Sequence, residues 1–411
     1  MTDEKLYPLP DDWQWCRLCD IATLFTGNSI NEKIKAEKYL GRTDGLIYIA
    51  TKDIDFDNQI DYATNIRIPA TDNFKTAPVN TPLLCIEGGS AGRKLGFTNQ
   101  PVCFVNKLCA FVSKETNSKL IYYFLQTQDF AEQFTAMKHG LIGGVSIRNL
   151  SEINFPLPPP HEQQRIVDLL DELFYNLDAA KALTQGVVDG SELRRVAILH
   201  KAFSGELTKL WRDEHGITLD SWQKKFLSDI LISSKQKTND FASSNLKYVG
   251  LENMEKNGGQ ISFQAADSVR STKNIFHVGD LLYGKLRPYL DKHGVAKFDG
   301  VCSTDILVFS ANDKSLNEFI NYFFSHSTFI EYAVVNSKGI NLPRVSEKIV
   351  LSAEISLQPL AEQKEIVHLL DDLLGREQRT TDLARKTLER IELMKKSILV
   401  RAFRGKLNTK N

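Results

Sequence analysis

The sequence predicts an α+β protein in which two α/β globular domains alternate with two long α-helices as an internal repeat. Three observations lead to this fold class. The segment 157–174 recurs at 357–374, short β-rich runs precede each copy, and a helical pattern follows each copy. We therefore expect four consecutive parts, with these boundaries: 1–155, 156–207, 208–355 and 356–411.

The repeat keeps one register over a long stretch of chain. Ten of the 18 positions in 157–174 are identical to those in 357–374 without a gap. The same offset of 200 still aligns "ILHKAFSGEL" (198–207) with "ILVRAFRGKL" (398–407). A constant register over this length indicates a rigid element, and a helix has that property.

Each repeated segment has the signals of a long helix. Prolines precede it, and Glu162 or Glu362 stands in the first turn, where the helix dipole favours an anion. Glycines at 205 and 405 predict the C-terminal caps, and Gly186 and Gly190 predict a kink or a short break in the first copy. About 40 residues at ~1.5 Å each give roughly 60 Å, so we expect the two apolar stripes to pack against each other or a partner. The candidate spacer and partner-binding residues of these helices are Glu162, Gln163, Ile166, Leu170, Leu173 and Phe203 in the first copy, and Glu362, Gln363, Ile366, Leu370, Leu373 and Phe403 in the second.

The globular stretches also repeat, but more faintly. "WQWCRLCDI" (13–21) and "WQKKFLSDI" (222–230) share five residues, and β-rich runs broken by Gly, Asn and Asp follow each. Each stretch also contains one predicted amphipathic helix rich in aromatic residues, at 119–137 and at 318–335. A pseudo-twofold repeat of four parts that closes into a ring would bring the C-terminus near the first globular domain, and we expect this arrangement.

Composition is that of an ordinary globular protein. Apolar residues make up 42% and charged residues 25%, and 51 basic residues balance 51 acidic ones. The sequence shows no signal-peptide pattern and no apolar run of membrane-spanning length, so we expect a cytoplasmic protein. The six cysteines are expected to be reduced, because a chain of this size does not need disulfides.

Catalytic motifs are absent from the sequence. It contains no phosphate-binding G-x-x-x-x-G-K-[ST], no dinucleotide-binding glycine motif, no amino-methyltransferase Asn/Asp-Pro-Pro-Tyr and no H-E-x-x-H. Cys16 and Cys19 form a C-x-x-C, but no second pair follows, and the repeat has Lys225 and Ser228 at these positions. We therefore predict no catalysis and no metal site, and we expect both cysteines to be buried apolar residues.

Two glycine-bearing basic loops are the candidate DNA contacts. The first basic loop (87–97) and the second basic loop (283–294) each follow an apolar strand, and their cations suit phosphates and base edges. A solvated hairpin is an equally weighted interpretation of either loop. A third basic pair lies at 138–144 and 336–344. The candidate residues are Ser90, Arg93, Lys94, Lys138 and His139 in the first domain, and Lys285, Arg287, Tyr289, Lys292, Lys338 and Arg344 in the second.

The pattern P-x-x-E-Q-x-x-I-V-x-L-L-D opening a long helix, with "KAFSGELT" near its end, resembles the specificity subunit of type I restriction-modification systems. The resemblance implies that each globular domain is a target recognition domain reading half of a bipartite, asymmetric site in double-stranded DNA. It implies that the helices pack antiparallel as a coiled-coil spacer and dock two methyltransferase subunits, which nuclease-translocase subunits join. S-adenosylmethionine, ATP and Mg would be bound by those partners, and none by this chain.

Two other functions were weighed. A protein-interaction scaffold would keep the helices but would need no basic loops. A single-chain DNA methyltransferase or nuclease would need motifs that the sequence lacks. Loss of DNA affinity with rising salt separates DNA binding from the scaffold.

Overall fold

The computed structural model describes residues 6–138, 143–239, 246–266, 271–313 and 316–407. The chain divides into two compact units. The first contains residues 1–184 and 386–411, and the second contains residues 185–385. Each unit therefore holds one predicted globular domain together with parts of both long helical segments.

The helices follow the order that the sequence predicts. In chain order they are α1 (Leu18–Ile21), α2 (Glu32–Ile34), α3 (Ser118–Phe124), α4 (Gln128–Ala136), α5 (Ile147–Ser151), α6 (Pro160–Asp189), α7 (Ser191–Phe203), α8 (Lys209–His215), α9 (Asn317–Phe324), α10 (Ser327–Val335), α11 (Glu347–Leu351) and α12 (Leu360–Phe403). None of the helices in the described ranges is both long and apolar enough to cross a membrane.

The first unit is built on two four-stranded sheets and one strand pair. Its strands are β1 (Gln14–Arg17), β2 (Ala22–Thr26), β3 (Leu46–Ile49), β4 (Arg67–Ile68), β5 (Thr76–Ala77), β6 (Pro82–Cys85), β7 (Leu95–Phe97), β8 (Val102–Phe104), β9 (Leu108–Ser113) and β10 (Asn154–Leu157). The sheet orders are β2-β9-β6-β7 and β4-β3-β8-β5, and β1 pairs with β10. β3 and β8 run parallel, with Tyr48 opposite Cys103.

The second unit repeats this topology. Its strands are β11 (Gln223–Phe226), β12 (Leu231–Ser233), β13 (Lys237–Thr238), β14 (Lys247–Val249), β15 (Gln264–Ala265), β16 (Lys273–Phe276), β17 (Leu281–Gly284), β18 (His293–Val295), β19 (Gly300–Cys302), β20 (Ile306–Ala311) and β21 (Glu354–Leu357). The order β12-β20-β17-β18 matches β2-β9-β6-β7, and β16-β19-β14-β15 matches β5-β8-β3-β4, with β13 as an additional strand beside β16. β11 pairs with β21 as β1 does with β10. The topology confirms the predicted fold class.

Both globular domains complete their cores with residues from the long helices. In the first unit, Ile166 and Leu170 of α6 share a buried cluster with Leu399 and Phe403 of α12. In the second unit the cluster contains the repeat equivalents Leu199, Ile366 and Leu370, and the half-buried Phe203, the equivalent of Phe403, packs against it. Burying such a side chain contributes about 1.5–3 kcal/mol. The identical apolar positions of the repeat are therefore explained by the core.

The long helices run antiparallel within each unit. In the first unit Lys181 pairs with Glu392 at 2.9 Å, and Arg165 donates to the carbonyl of Leu407 at 3.0 Å. In the second unit Arg194 forms a bidentate pair with Glu377, with its closest contact at 2.8 Å. The predicted antiparallel arrangement is confirmed.

Glycines break and end the helices as the sequence predicts. The first copy is interrupted at Gly190, whereas Gly186 stays helical and α12 runs unbroken for 44 residues. A Cβ at Gly190 would lie 2.5 Å from the guanidinium of Arg194, which crosses the break to donate to the Val187 carbonyl. Gly205 and Gly405 follow the helix ends with φ of +84° and +63°, which glycine adopts without strain. Tyr7 donates to the Phe403 carbonyl at 3.1 Å, so the end of α12 lies in the first unit as expected.

Two local predictions are wrong. Each aromatic helix, 119–137 and 318–335, is a pair of helices, α3 with α4 and α9 with α10. In the first pair Thr127 starts a new helix, because its hydroxyl accepts from the Phe130 amide. Cys16 and Cys19 are only half-buried: Cys16 lies in β1, in which no residue is fully buried, and Cys19 lies on the solvent side of the short helix α1, whose buried residues are Leu18 and Ile21. Cys16 still contacts the core.

A buried ion pair anchors the start of α12 in the second unit. Glu362 is fully buried, and its carboxylate accepts from Arg212 and Thr208 at 2.7 Å and from the indole of Trp222 at 2.9 Å. In the first unit the equivalent Glu162 pairs with the partly exposed Arg165 at 2.6 Å. The same glutamate thus starts both helices but has different partners.

Removing the partner should have unequal effects in the two units. Arg212→Ala leaves the buried carboxylate of Glu362 without its cation and should lower the free energy of unfolding by about 3–5 kcal/mol. Arg165→Ala breaks a partly exposed pair that solvent screens, so it should cost about 1 kcal/mol or less. Urea titration of both variants checks this, and equal costs would contradict the assigned difference in burial.

Candidate nucleic-acid interface

In the first domain, the first basic loop (87–97) joins β6 to β7 and lies beside the chain that precedes α5. The Val145 amide donates to the Ile86 carbonyl at 3.0 Å, which brings residues 143–145 to the base of the loop. The ring of Phe134 contacts Gly92, and the ammonium of Lys138 lies 5.4 Å from the same ring. The structure therefore brings two of the predicted basic segments together. His139 lies outside the described residues.

Cations and an exposed aromatic ring share the surface of this loop. Arg93 and Lys94 lie 5.4 and 5.1 Å from the ring of Phe56, which is 62% exposed. Arg93 is exposed and donates to the Gly89 carbonyl within the loop, and Ser90 is half-buried. Phe56 was not predictable as part of this surface, because it stands in a turn some 30 residues before the loop without a flanking motif.

The second basic loop (283–294) joins β17 to β18 and has the same arrangement. The Val345 amide donates to the Lys285 carbonyl at 3.0 Å, and the Arg287 amide donates to the Pro343 carbonyl at 2.7 Å. The backbone of Arg344 forms isolated antiparallel β-bridges with Leu286 and with Lys338. The predicted basic segments thus meet in this domain as well.

The exposed groups of the second basic loop lie in a turn with unusual backbone angles. Arg287 has a φ of +51°, a conformation that costs an ordinary L residue roughly 1–2 kcal/mol. Its side chain is exposed and shows no hydrogen bond or ion pair within the described part of the chain. Tyr289 is 53% exposed, whereas Arg344 lies 3.5 Å from Asp305. Arg287 is therefore the freest candidate cation of this loop.

Lys94 and Lys292 have equivalent structural contacts. Lys94 donates to the Thr51 carbonyl at 3.1 Å, and Lys292 donates to the Leu251 carbonyl at 2.6 Å. Both carbonyls belong to the first residue of a 3-10 turn, Thr51–Asp53 or Leu251–Asn253. Each lysine thus ties its loop to the neighbouring turn, because its ammonium donates a hydrogen bond within the domain.

The predicted helix residues are largely buried inside the chain. Ile166, Leu170, Ile366, Leu370 and Phe403 are at most 1% exposed. Leu173, Leu373 and Phe203 are half-buried, as are Glu162 and Arg165. Gln163 and Gln363 donate to the Pro158 and Gln358 carbonyls at 3.0 and 2.6 Å, which closes the first turn of each helix. These residues build the helix pair, and their contact with a partner protein stays a prediction.

Asp171 and Asp371, which the repeat matches, connect each helix to its domain. Asp171 accepts from the hydroxyl of Tyr123, and Asp371 accepts from that of Tyr322. Burial, with this hydrogen bond, raises the pKa of both tyrosines. The two aspartates are among the identical positions of the repeat, but their sequence context predicts no role for them, because their tyrosines lie about 50 residues earlier in the chain.

The cysteines have no metal or nucleophilic environment. Burial raises the pKa of Cys16, Cys109 and Cys302 to about 12, so these thiols stay protonated. Within the described ranges, no group of three or more His, Cys, Asp or Glu side chains could hold a metal ion. The site that the structure offers is therefore a pair of basic surfaces.

Comparison with known proteins agrees with this arrangement. The family described as "Type I restriction modification DNA specificity domain" matches residues 10–187 and again 220–393. The specificity subunit of the type I restriction enzyme EcoDI from Escherichia coli is 29% identical over 284 residues, which is 63% of each chain. The EcoKI specificity subunit from Escherichia coli strain K12 is 24% identical, and the match covers 97% of this chain and 90% of that subunit.

Solved structures share the fold. A chain from a study of complex assembly and conformational transition in a type I R-M system matches with a TM-score of 0.74 at 17% identity, covering 98% of this chain and all of that one. The HsdS subunit from Thermoanaerobacter tengcongensis matches with a TM-score of 0.61 at 16% identity, covering 99% of this chain and all of that one. The family match covers both globular domains and most of the long helices, so the chain belongs to the type I restriction-modification DNA specificity family and is a specificity subunit with two such domains.

Proposed function

We propose that each globular domain reads one half of a bipartite, asymmetric site in double-stranded DNA, and that the chain itself performs no chemistry. The observation that carries this proposal is the recurrence of one surface in both domains. In each, a basic loop joins the last two strands of a four-stranded sheet, β6 to β7 or β17 to β18. It meets a second basic segment before a short helix through the equivalent backbone hydrogen bonds Val145 to Ile86 and Val345 to Lys285. Arginine side chains on such loops suit guanine edges and phosphates.

The antiparallel helices serve as the spacer between the half-sites in this proposal. A protein with two DNA-reading domains contacts half-sites about one turn of DNA apart, roughly 34 Å. The proposed partners of the helices are two methyltransferase subunits, joined by nuclease-translocase subunits in restriction. S-adenosylmethionine, ATP and Mg would bind to those partners, and the assembly would work in the cytoplasm.

Methylome sequencing tests the proposal most directly. The full chain is expressed with its host's modification subunit in a strain without other DNA methylation, and methylated motifs are identified. We expect one motif with two specified halves separated by unread positions. Binding of duplexes with that motif should weaken steeply as salt rises, because several phosphate contacts release counterions. No DNA binding in the presence of the modification subunit would instead support a protein-interaction scaffold.

Single substitutions should separate the two half-sites. Arg93→Ala and Lys94→Ala should weaken recognition of one half only, and Arg287→Ala should weaken recognition of the other, each base contact being worth about 1–3 kcal/mol. The effect of Lys94→Ala should act through the loop, because its ammonium bonds to the Thr51 carbonyl. The methylated motifs of the variants measure this, and a loss in both halves together would count against the assignment.

Shortening the helices should change the spacing alone. Deletion of four residues, about one helical turn, at corresponding positions of both long helical segments should reduce the number of unread base pairs. The specified bases of each half should stay the same, because the basic loops are untouched. An unchanged number of unread base pairs in the methylated motif would refute the proposal that the helices set the distance between the half-sites.

A further inference from the structure

We propose that Asp291 is the positioning residue of the second basic loop: its carboxylate, held by Arg195, His293 and Ser325, keeps Arg287 and Tyr289 in the turn that meets the bases of one half-site. This inference rests on the proposed function. It adds a buried polar cluster that the DNA-reading surface needs but that does not itself touch DNA. The described residues of the first domain contain no equivalent cluster.

The two basic loops both have left-handed backbone angles but place different residues there. The first contains Gly88 and Gly92, with φ of +79° and +77°, and the Ala91 amide donates to the Gly88 carbonyl. The second has Arg287 and Asp291 at the equivalent places, with φ of +51° and +50°, and the Leu290 amide donates to the Arg287 carbonyl. Glycine adopts these angles freely, whereas arginine does not. Strain of this kind persists only where the surroundings hold it.

Asp291 is the residue through which the surroundings hold the turn. Its side chain is 6% exposed, and its carboxylate accepts from the Ser325 hydroxyl at 2.8 Å and lies 2.9 Å from Nε2 of His293. Its backbone also takes part, because the Gly258 amide donates to its carbonyl at 2.8 Å. One residue therefore fixes the end of the turn through both side chain and backbone.

Arg195 ties this cluster to the long helical segment. It lies on α7, donates to the Ser325 hydroxyl at 2.9 Å and approaches the Asp291 carboxylate to 4.0 Å. The other ring nitrogen of His293, Nδ1, faces the side-chain oxygen of Asn321 on α9 at 2.7 Å. The cluster thus joins the strained turn to two helices whose positions are set by the core.

The cluster is buried at Asp291 and His293, but the turn that it holds carries two exposed groups. The 3-10 turn Pro288–Leu290 lies between Arg287 and Asp291, and Pro288 is buried while Tyr289 is 53% exposed. The buried end is thus fixed and the exposed end carries a guanidinium and a phenol. A rigid loop with a free cation and an aromatic ring is what base recognition requires.

In the first domain the same place is filled by packing. Gly92 has no side chain, and a Cβ built at this position would lie only 2.8 Å from the ring of Phe134. Gln126, the equivalent of Ser325, is bonded instead to Asn58 at 3.2 Å. Changes at Asp291 should therefore affect one half-site only.

The decisive variant is Asp291→Gly. Glycine accepts the φ of +50°, so this change removes the carboxylate without adding backbone strain. We expect discrimination at the second domain's half-site to fall at least tenfold, measured in the full chain with its modification subunit as the binding ratio between duplexes with the cognate half and with single-base changes. Discrimination at the first half-site and binding to a non-cognate duplex should stay unchanged.

Two further comparisons separate positioning from stability. Val308→Ala, at a buried position of β20, weakens the same domain but should keep full discrimination. Arg287→Gly and Arg287→Ala should lose discrimination equally, and the glycine variant should melt about 2 °C or more above the alanine variant, because it releases the strain at φ +51°.

The outcomes are distinguishable. If the wild-type chain discriminates no sequence, the proposed function fails and this inference fails with it. If the wild type discriminates but Asp291→Gly matches it, or if both half-sites weaken together, the positioning role of Asp291 is overturned. A loss with Val308→Ala equal to that with Asp291→Gly would likewise show that the cluster acts through stability alone.

Discussion

Each globular domain depends on apolar side chains that it does not itself contain. The core of the first unit needs Leu399 and Phe403 from α12, and that of the second needs Leu199 and Ala202 from α7. These helix residues lie inside the buried clusters of the domains, so the helices are structural parts of both domains. Apolar burial therefore fixes where each basic loop stands relative to its own helices, and the tyrosine–aspartate bonds reinforce that fixed relation.

The repeat made most of this fold predictable. Identical residues at an offset of 200 gave the long helices, and glycines gave the break at Gly190 and the ends at Gly205 and Gly405. The split of the first aromatic helix was not predictable by periodicity, because the apolar spacing continues across the break at Thr127 and only a side-chain cap interrupts it. The burial of Glu362 also escaped prediction, because its cation comes from Arg212, 150 positions away.

The candidate interface was predictable in its location but not in its detail. Glycines and cations marked both basic loops, and the structure shows that each meets the second basic segment of its domain. The sequence could not separate Lys292, whose ammonium bonds to a backbone carbonyl, from Arg287, whose guanidinium is exposed. That distinction depends on distances of about an ångström in the folded chain. Nor could it show Asp291 as a contact of His293 and Ser325, since proximity in sequence does not reveal a shared buried cluster.

The left-handed turn at Arg287 also bears on the kinetics of association. A loop that must order itself at the moment of contact slows encounter and loses part of its interaction energy to entropy. The second basic loop is already ordered by Asp291, so its chain entropy is lost during folding and not at the DNA. Collisions between this domain and a duplex should therefore be limited by diffusion and orientation, and differences between sequences should reside in how long the complex lasts.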